Sequence, residues 1–124
     1  MEFTISNTAG KPIYEQILEQ IKTAILAGEL KEGDALPSMR LLAKDLRISV
    51  ITTKRAYEEL ERAGFIVSYT GKGSFVAAQK RELMREHKLK EMEEHLQKAC
   101  ELARLTGVSV DEMSGMLQLL YDEI

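Results

Sequence analysis

Apolar positions near the start of the chain recur every three or four residues, which is the spacing of an amphipathic helix. Between Pro12 and Gly28 they form one stripe of five aliphatic side chains: Ile13, Ile17, Leu18, Ile21 and Ile25. Proline suits a helix start because its missing N–H is not needed there, and glycine commonly follows a helix end. The pattern predicts a first helix that begins at Pro12, ends before Gly28 and buries this stripe.

Two further helices are predicted, and each follows a serine whose hydroxyl can accept a hydrogen bond from an unpaired N–H of the first turn. Ser38 precedes a short helix over residues 39–46, and Ser49 precedes a longer one over residues 50–63. A tight connection at residues 47–48 separates them. We expect the short helix to bury Leu41, Leu42 and Leu46.

The longer of these two helices has two distinct faces, because residues three and four apart share one side of a helix. Its core face is expected to hold Thr53, Ala56, Tyr57 and Leu60. The opposite face carries Ile51, Arg55, Glu58 and Arg62.

After this helix the apolar period changes to strict alternation, which is typical of strands. Residues 65–69 predict one strand, residues 70–73 a glycine-rich turn, and residues 74–76 the returning strand. Three helices followed by a two-stranded hairpin is the order of a winged helix-turn-helix. In that architecture the third helix enters the major groove of DNA, and the hairpin, or wing, touches the neighbouring backbone or minor groove.

A long helical period begins at residue 79, and its apolar residues form the seam of a coiled coil: Leu89, Met92, Leu96, Ala99 and Ala103. Gly107 ends this helix, and Ser109 with Glu112 forms the capping-box signature of a last one. That last helix carries a similar stripe, made of Met113, Met116, Leu117, Leu120 and Ile124.

The change of period places a boundary near residue 78. We expect a winged helix-turn-helix domain over residues 1–78 and a helical segment over residues 79–124. The seam of the segment can pack within the chain or across a two-fold axis. Because two helices have little to pack against in their own monomer, a dimer interface is the favoured interpretation.

Composition limits the possible partners. The 124 residues are 44% hydrophobic and 30% charged, which is a normal globular balance, and the net charge of −3 excludes a globally basic nucleic-acid binder. The single cysteine, Cys100, excludes an intrachain disulfide, favours a reducing compartment and is expected to be buried or at an interface. Neither a signal peptide nor a membrane-spanning run is seen, so a cytoplasmic protein with no membrane partner is expected.

Positive charge gathers on the elements that would face DNA. Residues 1–78 carry ten basic and ten acidic residues and are neutral overall. The second helix, the start of the third and the hairpin tip nevertheless hold six cations: Arg40, Lys44, Arg47, Lys54, Arg55 and Lys72. Carboxylates that would repel phosphate come later in the third helix, at Glu58, Glu59 and Glu61. We therefore expect only its first two turns to enter the groove.

Individual residues of this face suit particular parts of a duplex. Arg40 can form a bidentate pair with guanine. Ser38, with the helix N-terminus behind it, suits a phosphate oxygen. Lys72 lies between glycines that allow charge and backbone to approach DNA closely. Val50 and Ile51 have no hydrogen-bond donors but can pack on a thymine methyl group.

These motifs resemble the GntR family of bacterial transcription regulators. Residues 36–43, Leu-Pro-Ser-Met-Arg-Leu-Leu-Ala, resemble the family signature Leu-Pro-Ser-x-Arg-x-Leu-Ala. Residues 48–52 resemble the opening of its recognition helix, and residues 56–66 and 71–76 resemble its helix end and wing. The resemblance implies DNA contacts at Arg40, Ser49, Val50, Ile51, Thr52, Lys54 and Gly71.

The residue after Ser49 and the length of the segment after the wing refine this resemblance. Many members carry Arg directly after the serine, where this chain has Val50, so their base preference does not transfer. Only residues 79–124 follow the wing, a length similar to the short YtrA-type subgroup. That subgroup implies two dimerisation helices and a homodimeric repressor of a transporter operon that binds a pseudo-palindromic operator.

Other interpretations stay open. The same fold serves some proteins as a protein-interaction module that binds no DNA. His87, Glu91 and His95 lie four residues apart on one helix face, where metal ligation is a weaker alternative to solvated side chains. The chain shows no convergent acid, base and nucleophile, so neither an enzyme nor a cofactor is expected. An unidentified small-molecule effector also stays open as a partner.

Overall fold

The computed structural model describes residues 1–7 and 10–124. Its elements are α1 (Ile13–Leu26), α2 (Met39–Leu46), α3 (Val50–Arg62), β1 (Ile66–Tyr69), β2 (Gly73–Val76), α4 (Arg81–Thr106) and α5 (Val110–Glu123). The predicted class, mainly helical with a small hairpin, is confirmed. Three helices and the hairpin form a winged helix-turn-helix, and two helices follow it.

The chain divides into two compact units, residues 1–87 and residues 88–124. The division falls inside α4, whereas the sequence placed a boundary near residue 78. The start of α4 belongs to the first unit because Met84 packs, partly buried, against the core of that unit.

Serine caps fix the start of three helices. Ser38 and Ser49 accept, through Oγ, a hydrogen bond from the backbone N–H three residues later, at 3.1 and 3.2 Å. Ser109 caps α5 in the same way at 3.1 Å. Each hydroxyl satisfies an N–H that the helix itself leaves unpaired. The predicted cap positions are therefore confirmed.

The core of the first unit forms where the aliphatic stripe of α1 packs against α3 and the hairpin. Ile17 and Ile21 of α1 and Leu60 of α3 are fully buried. Ile66 and Val76, which are paired across the hairpin, are buried in the same cluster. Removal of this apolar surface from water is the main favourable contribution to folding of the unit.

Leu41 was expected in the core, and that expectation is wrong. Its side chain is 51% exposed, whereas Leu42 and Ala43 are buried. Met39 and Leu46 pack, partly buried, beside Leu42. At 100° per residue these four positions share one side of α2, and Leu41 falls on the opposite side.

The hairpin is tied to the chain segment that leads into α2. β1 and β2 are antiparallel, and Ala35 forms an isolated bridge with Phe75 of β2. The N–H of Leu36 donates to the carbonyl of Ser74 at 2.9 Å, and the N–H of Val76 donates to the carbonyl of Asp34 at 2.9 Å. These backbone bonds hold the wing at a fixed place beside the start of α2.

Two glutamines of α1 hold the N-terminal arm. The side-chain amide of Gln20 accepts from the N–H of Thr4 at 2.9 Å and donates to its carbonyl at 2.7 Å. Gln16, one turn earlier, makes the same pair with Ser6, at 2.8 Å for each bond. Because an amide side chain matches a peptide group in this way, the arm gains strand-like pairing without a neighbouring strand.

The second unit leaves most of its apolar residues exposed. Among residues 88–124, all of which the structure describes, only Ala103 is buried. Cys100 is exposed, so its expected burial within the protomer is wrong, and its place at an interface stays a prediction. The reason is that two helices without a third layer cannot enclose the residues between them.

Tyr57 joins α3 to the start of α2. Its ring is fully buried, and its hydroxyl donates a hydrogen bond of 2.7 Å to the carbonyl oxygen of Pro37. Burial raises the pKa of this hydroxyl to about 12, because the ionised form would lose its hydration. The residue before Ser38 is thereby fixed against the third helix.

Replacement of Tyr57 by Phe should lower the free energy of unfolding by about 1–3 kcal/mol, because the Pro37 carbonyl loses its partner. The folded-state pKa of Tyr57 lies above the unfolded value of about 10. Its contribution is therefore fully present below pH 10 and is lost as the pH rises from 10 towards 12. Urea unfolding between pH 8 and 11 measures both effects.

The matched control is Tyr69→Phe, because the Tyr69 side chain is 54% exposed. We expect the wild type and this control to lose stability in parallel at alkaline pH, and Tyr57→Phe to lose less. Identical pH dependence in all three proteins would contradict the assigned role of Tyr57.

Candidate nucleic-acid interface

The sequence-predicted site residues lie on three connected elements of the first unit. Arg40 is in the first turn of α2, and the residues from Val50 to Arg55 form the first half of α3. Gly71 and Lys72 form the hairpin tip between β1 and β2. All of the ten predicted residues are exposed except Thr52, which is half-buried: Ser38, Arg40, Ser49, Val50, Ile51, Thr52, Lys54, Arg55, Gly71 and Lys72.

Contacts already described fix the relative positions of these elements. The Tyr57 hydroxyl joins α3 to the start of α2, and backbone bonds join the same start to β2. α2 packs directly on α3. The three elements therefore present their exposed side chains from one rigid framework, as a helix-turn-helix requires.

The turn between α2 and α3 is made by Arg47 in the left-handed conformation, with φ 57° and ψ 48°. Among the described residues it is the one non-glycine side chain with positive φ. A Cβ atom makes this conformation unfavourable by about 1–2 kcal/mol. The chain thus keeps an exposed arginine at a place where glycine would be easier to accommodate.

Four cations of the surface have no acidic neighbour. Within the part of the chain that the structure describes, no carboxylate lies within 4.0 Å of the charged groups of Arg40, Lys44, Arg47 and Lys72. All four side chains are exposed. Unpaired cations on an exposed face attract a polyanion over roughly 10 Å at moderate ionic strength.

The two cations in the middle of α3 are engaged by neighbouring side chains. Nζ of Lys54 lies 3.9 Å from Oε1 of Glu58. The guanidinium carbon of Arg55 lies 3.8 Å from the centre of the Tyr14 ring on α1, which is a cation–π contact. Arg55 is therefore drawn towards α1, a placement that the helical spacing of α3 alone does not reveal.

Two glycines shape the hairpin tip. Gly71 and Gly73 have φ values of 75° and 103°, which other residues adopt only with strain. The N–H of Lys72 donates to the carbonyl of Tyr69 at 2.9 Å and closes the turn. Lys72 therefore extends from the end of the wing, where the chain adds little bulk.

Three exposed residues on these elements were not among the predicted DNA contacts. Arg47 belonged to the basic cluster, but its backbone conformation could not be read from the sequence. Leu41 was assigned to the core. Tyr69, whose ring centre lies 6.1 Å from that of Phe75, is on the wing, and the alternation of β1 was the signal that could have indicated it.

Other kinds of site find little support in the described residues 1–7 and 10–124. No group of three or more histidine, cysteine or acidic side chains there is arranged to hold a metal ion, and His87, Glu91 and His95 form no such group. No helix in the same residues combines the length and the apolar character needed to cross a membrane.

Comparisons with known proteins identify the family of this chain. The model of the family described as "Bacterial regulatory proteins, gntR family" matches residues 13–76. The HTH-type transcriptional repressor YtrA of Bacillus subtilis (strain 168) is 35% identical over 120 residues. That match covers 97% of this chain and 92% of the repressor.

Two solved structures extend the comparison. YtrA from Sulfolobus acidocaldarius, a GntR-family transcription factor, is 33% identical, with a TM-score of 0.57 and 98% of both chains covered. The DNA-binding domain of AraR in complex with operator ORX1 is 26% identical, with a TM-score of 0.55. It covers 62% of this chain and 96% of the AraR domain.

The family model covers more than half of the chain, and the similarity to YtrA extends over nearly all of it. The resemblance drawn from the sequence motifs is confirmed. The chain belongs to the GntR family of bacterial regulatory proteins, in its short YtrA-type subgroup, and is a DNA-binding transcriptional regulator and not an enzyme.

Proposed function

We propose that this chain is a homodimeric, cytoplasmic repressor that binds a pseudo-palindromic operator through α2, α3 and the wing. The observation that supports this most strongly is the set of four unpaired cations on these connected elements, in a chain whose net charge is −3. Like-charged side chains on one exposed face repel one another, and a bound polyanion such as DNA relieves this repulsion.

Each proposed contact has a distinct role. Arg40 reads a base edge from the first turn of α2, whereas Ser38 and Ser49 place helix N-termini against phosphate oxygens. Lys72 and Gly71 bring the wing to the neighbouring backbone. Thr52, Lys54 and Arg55 complete the surface on α3.

The dimer is proposed to form through residues 79–124, with residues 1–78 as the DNA-binding domain. Within the second unit, α4 and α5 line an open groove of about 840 Å³ that is mainly apolar. Its exposed members include Met92, Leu96, Met116, Leu117 and Leu120. An exposed apolar face on a two-helix unit is stabilised when another apolar surface removes it from water. A second copy supplies an identical apolar face.

A two-fold axis has a direct consequence for the operator. Two copies of α3 would meet two half-sites related by the same axis, about 34 Å apart or a multiple of that distance. This is the geometric reason to propose a pseudo-palindrome. The control of a transporter operon is supported by the subgroup resemblance alone. No observation on the described residues favours the alternative of a protein-interaction module.

The replacement of Arg40 by Ala should weaken operator binding by about 10- to 100-fold and relax the preference at one base pair, since a bidentate pair contributes about 1–3 kcal/mol of discrimination. Lys72→Ala should weaken binding to all sequences alike and reduce the slope of log K against log salt by about 1. Salt-titrated fluorescence anisotropy on a selected operator and on random duplex DNA measures both.

Matched controls remove the same charges from the second unit. Arg104→Ala and Lys98→Ala each remove one exposed cation from the part of α4 that belongs to the second unit. We expect the wild-type salt slope and base preference in both controls. If Arg40→Ala and Lys72→Ala behave like these controls, the proposed interface is wrong.

Arg47→Gly should separate the effect of this residue on stability from its effect on DNA binding. Glycine relieves the left-handed strain, so we expect the free energy of unfolding to rise by about 1 kcal/mol. The loss of the cation should weaken DNA binding and reduce the salt slope by about 1. Arg47→Ala is the control, because it loses the charge but keeps a Cβ atom; it should lose affinity without the gain in stability. Unchanged DNA affinity in both variants would exclude a role for this turn in binding.

The introduction of a charge into the groove should dissociate the dimer. Leu96→Asp or Leu120→Asp would bury an unpaired carboxylate at the proposed interface, which is strongly unfavourable. Sedimentation equilibrium should give twice the monomer mass of 14.0 kDa for the wild type and the monomer mass for the variants. Leu105→Asp is the control, since Leu105 is 82% exposed and lies outside the groove. A wild-type monomer, or dimeric variants, would refute this assembly.

A further inference from the structure

The first turn of α3 exposes two apolar side chains in the middle of a basic surface. Ile51 is 80% exposed and Val50 is 45% exposed. Thr53, Ala56, Tyr57 and Leu60 are buried on the other side of the helix, and at 100° per residue Ile51 points directly away from them. An exposed β-branched residue at this place contributes nothing to the core of the protomer.

Two of the three hydroxyl groups at this turn, those of Ser49 and Thr53, bond to the backbone of the helix itself. Oγ of Ser49 accepts from the N–H of Thr52 at 3.2 Å, and Oγ1 of Thr53 donates to the carbonyl of Ser49 at 3.2 Å. The next cations along the helix, Lys54 and Arg55, face Glu58 and the Tyr14 ring. The outermost part of the turn therefore offers apolar surface where a bidentate hydrogen-bond donor would read guanine.

Only one group in the major groove is complementary to such a surface. Guanine, cytosine and adenine present donors and acceptors there, whereas thymine also presents its 5-methyl group. Lys44 and Arg47, on the preceding helix and turn, are exposed and available to hold the flanking phosphates, while Arg40 reads a base edge. A duplex held by these cations would bring base edges against Val50 and Ile51.

We infer that each operator half-site presents thymine methyl groups to Val50 and Ile51, so that the recognition helix reads A·T pairs by apolar contact. This inference rests on the proposed function and identifies the base class that α3 selects. Burial of one methyl group is worth about fourfold in affinity, which corresponds to about 0.8 kcal/mol. One methyl contact therefore selects thymine more weakly than a bidentate Arg40 pair, at about 1–3 kcal/mol, selects guanine.

The test removes only the methyl groups. An operator is first selected from random duplex DNA with the full-length protein, and each thymine of a half-site is then replaced by deoxyuridine. This change leaves every hydrogen-bonding group of the base pair in place. We expect about a fourfold loss of affinity at one or two half-site positions and no loss at thymines outside the half-sites.

Protein variants assign the methyl contacts to residues. With Ile51→Ala, the loss caused by deoxyuridine at one position should disappear, and with Val50→Ala the loss at a second position should disappear. Leu83→Ala is the matched control, because Leu83 is a partly exposed apolar residue of the first unit on α4. It should keep both deoxyuridine effects. Equal urea midpoints will show that the alanine variants are folded.

The outcomes distinguish this inference from the function on which it rests. If no duplex is selected, the proposed function fails and the inference fails with it. If an operator is selected but tolerates deoxyuridine at every half-site thymine, or has no thymine in its half-sites, the protein binds DNA and the inference is wrong. Deoxyuridine effects that persist unchanged in both Ile51→Ala and Val50→Ala would also overturn it.

Discussion

The hydrogen bond from Tyr57 to the Pro37 carbonyl is the interaction on which the proposed DNA-binding surface depends most. Tyr57 fills the core between α1 and α3, so its position is set by apolar packing. Its hydroxyl donates a hydrogen bond of 2.7 Å to the Pro37 carbonyl, and this bond fixes the start of α2 against α3. Since Leu36, immediately before Pro37, also pairs with β2, one short segment connects the second helix, the third helix and the wing.

This framework allows a chain with net negative charge to hold cations where they have no internal partner. Arg40, Arg47 and Lys72 lie at the start of a helix, in a turn and at a hairpin tip, and none of them forms an ion pair with a described carboxylate. Arg47 even occupies a backbone conformation that favours glycine. The second unit has the opposite character, because its exposed surface is rich in leucine and methionine. Charge on one unit and apolar surface on the other are the physical basis for the proposal that the two units make separate contacts, one with DNA and one with a second copy.

The sequence predicted those features that depend on local chemistry. Serine caps and helix-ending glycines have fixed geometric roles, so the starts of α2 and α3 and the end of α1 before Gly28 could be read directly. The buried face of α3 followed from spacing, since Tyr57 and Leu60 are three residues apart. The exposure of Ile51 followed from the same spacing.

Features that depend on contacts between distant segments could not be predicted in this way. Leu41 was misassigned because leucine alone does not indicate which side of a short helix is buried. The cation–π contact of Arg55 requires α1 to pass beside α3. The hydrogen bonds of Gln16 and Gln20 require the N-terminal arm to return along α1. For Arg55 and for the two glutamines the partner lies ten or more residues away, beyond the reach of a periodic pattern.

The central claim is that the exposed cations of α2, its following turn and the wing hold duplex DNA twice, once in each copy of the dimer. Hydroxyl-radical footprinting of the full-length protein on a selected operator tests this most directly. The account predicts two protected stretches of backbone, related by a two-fold axis and centred about one helical turn or a multiple of it apart. A single protected stretch, or protection without two-fold symmetry, would contradict it.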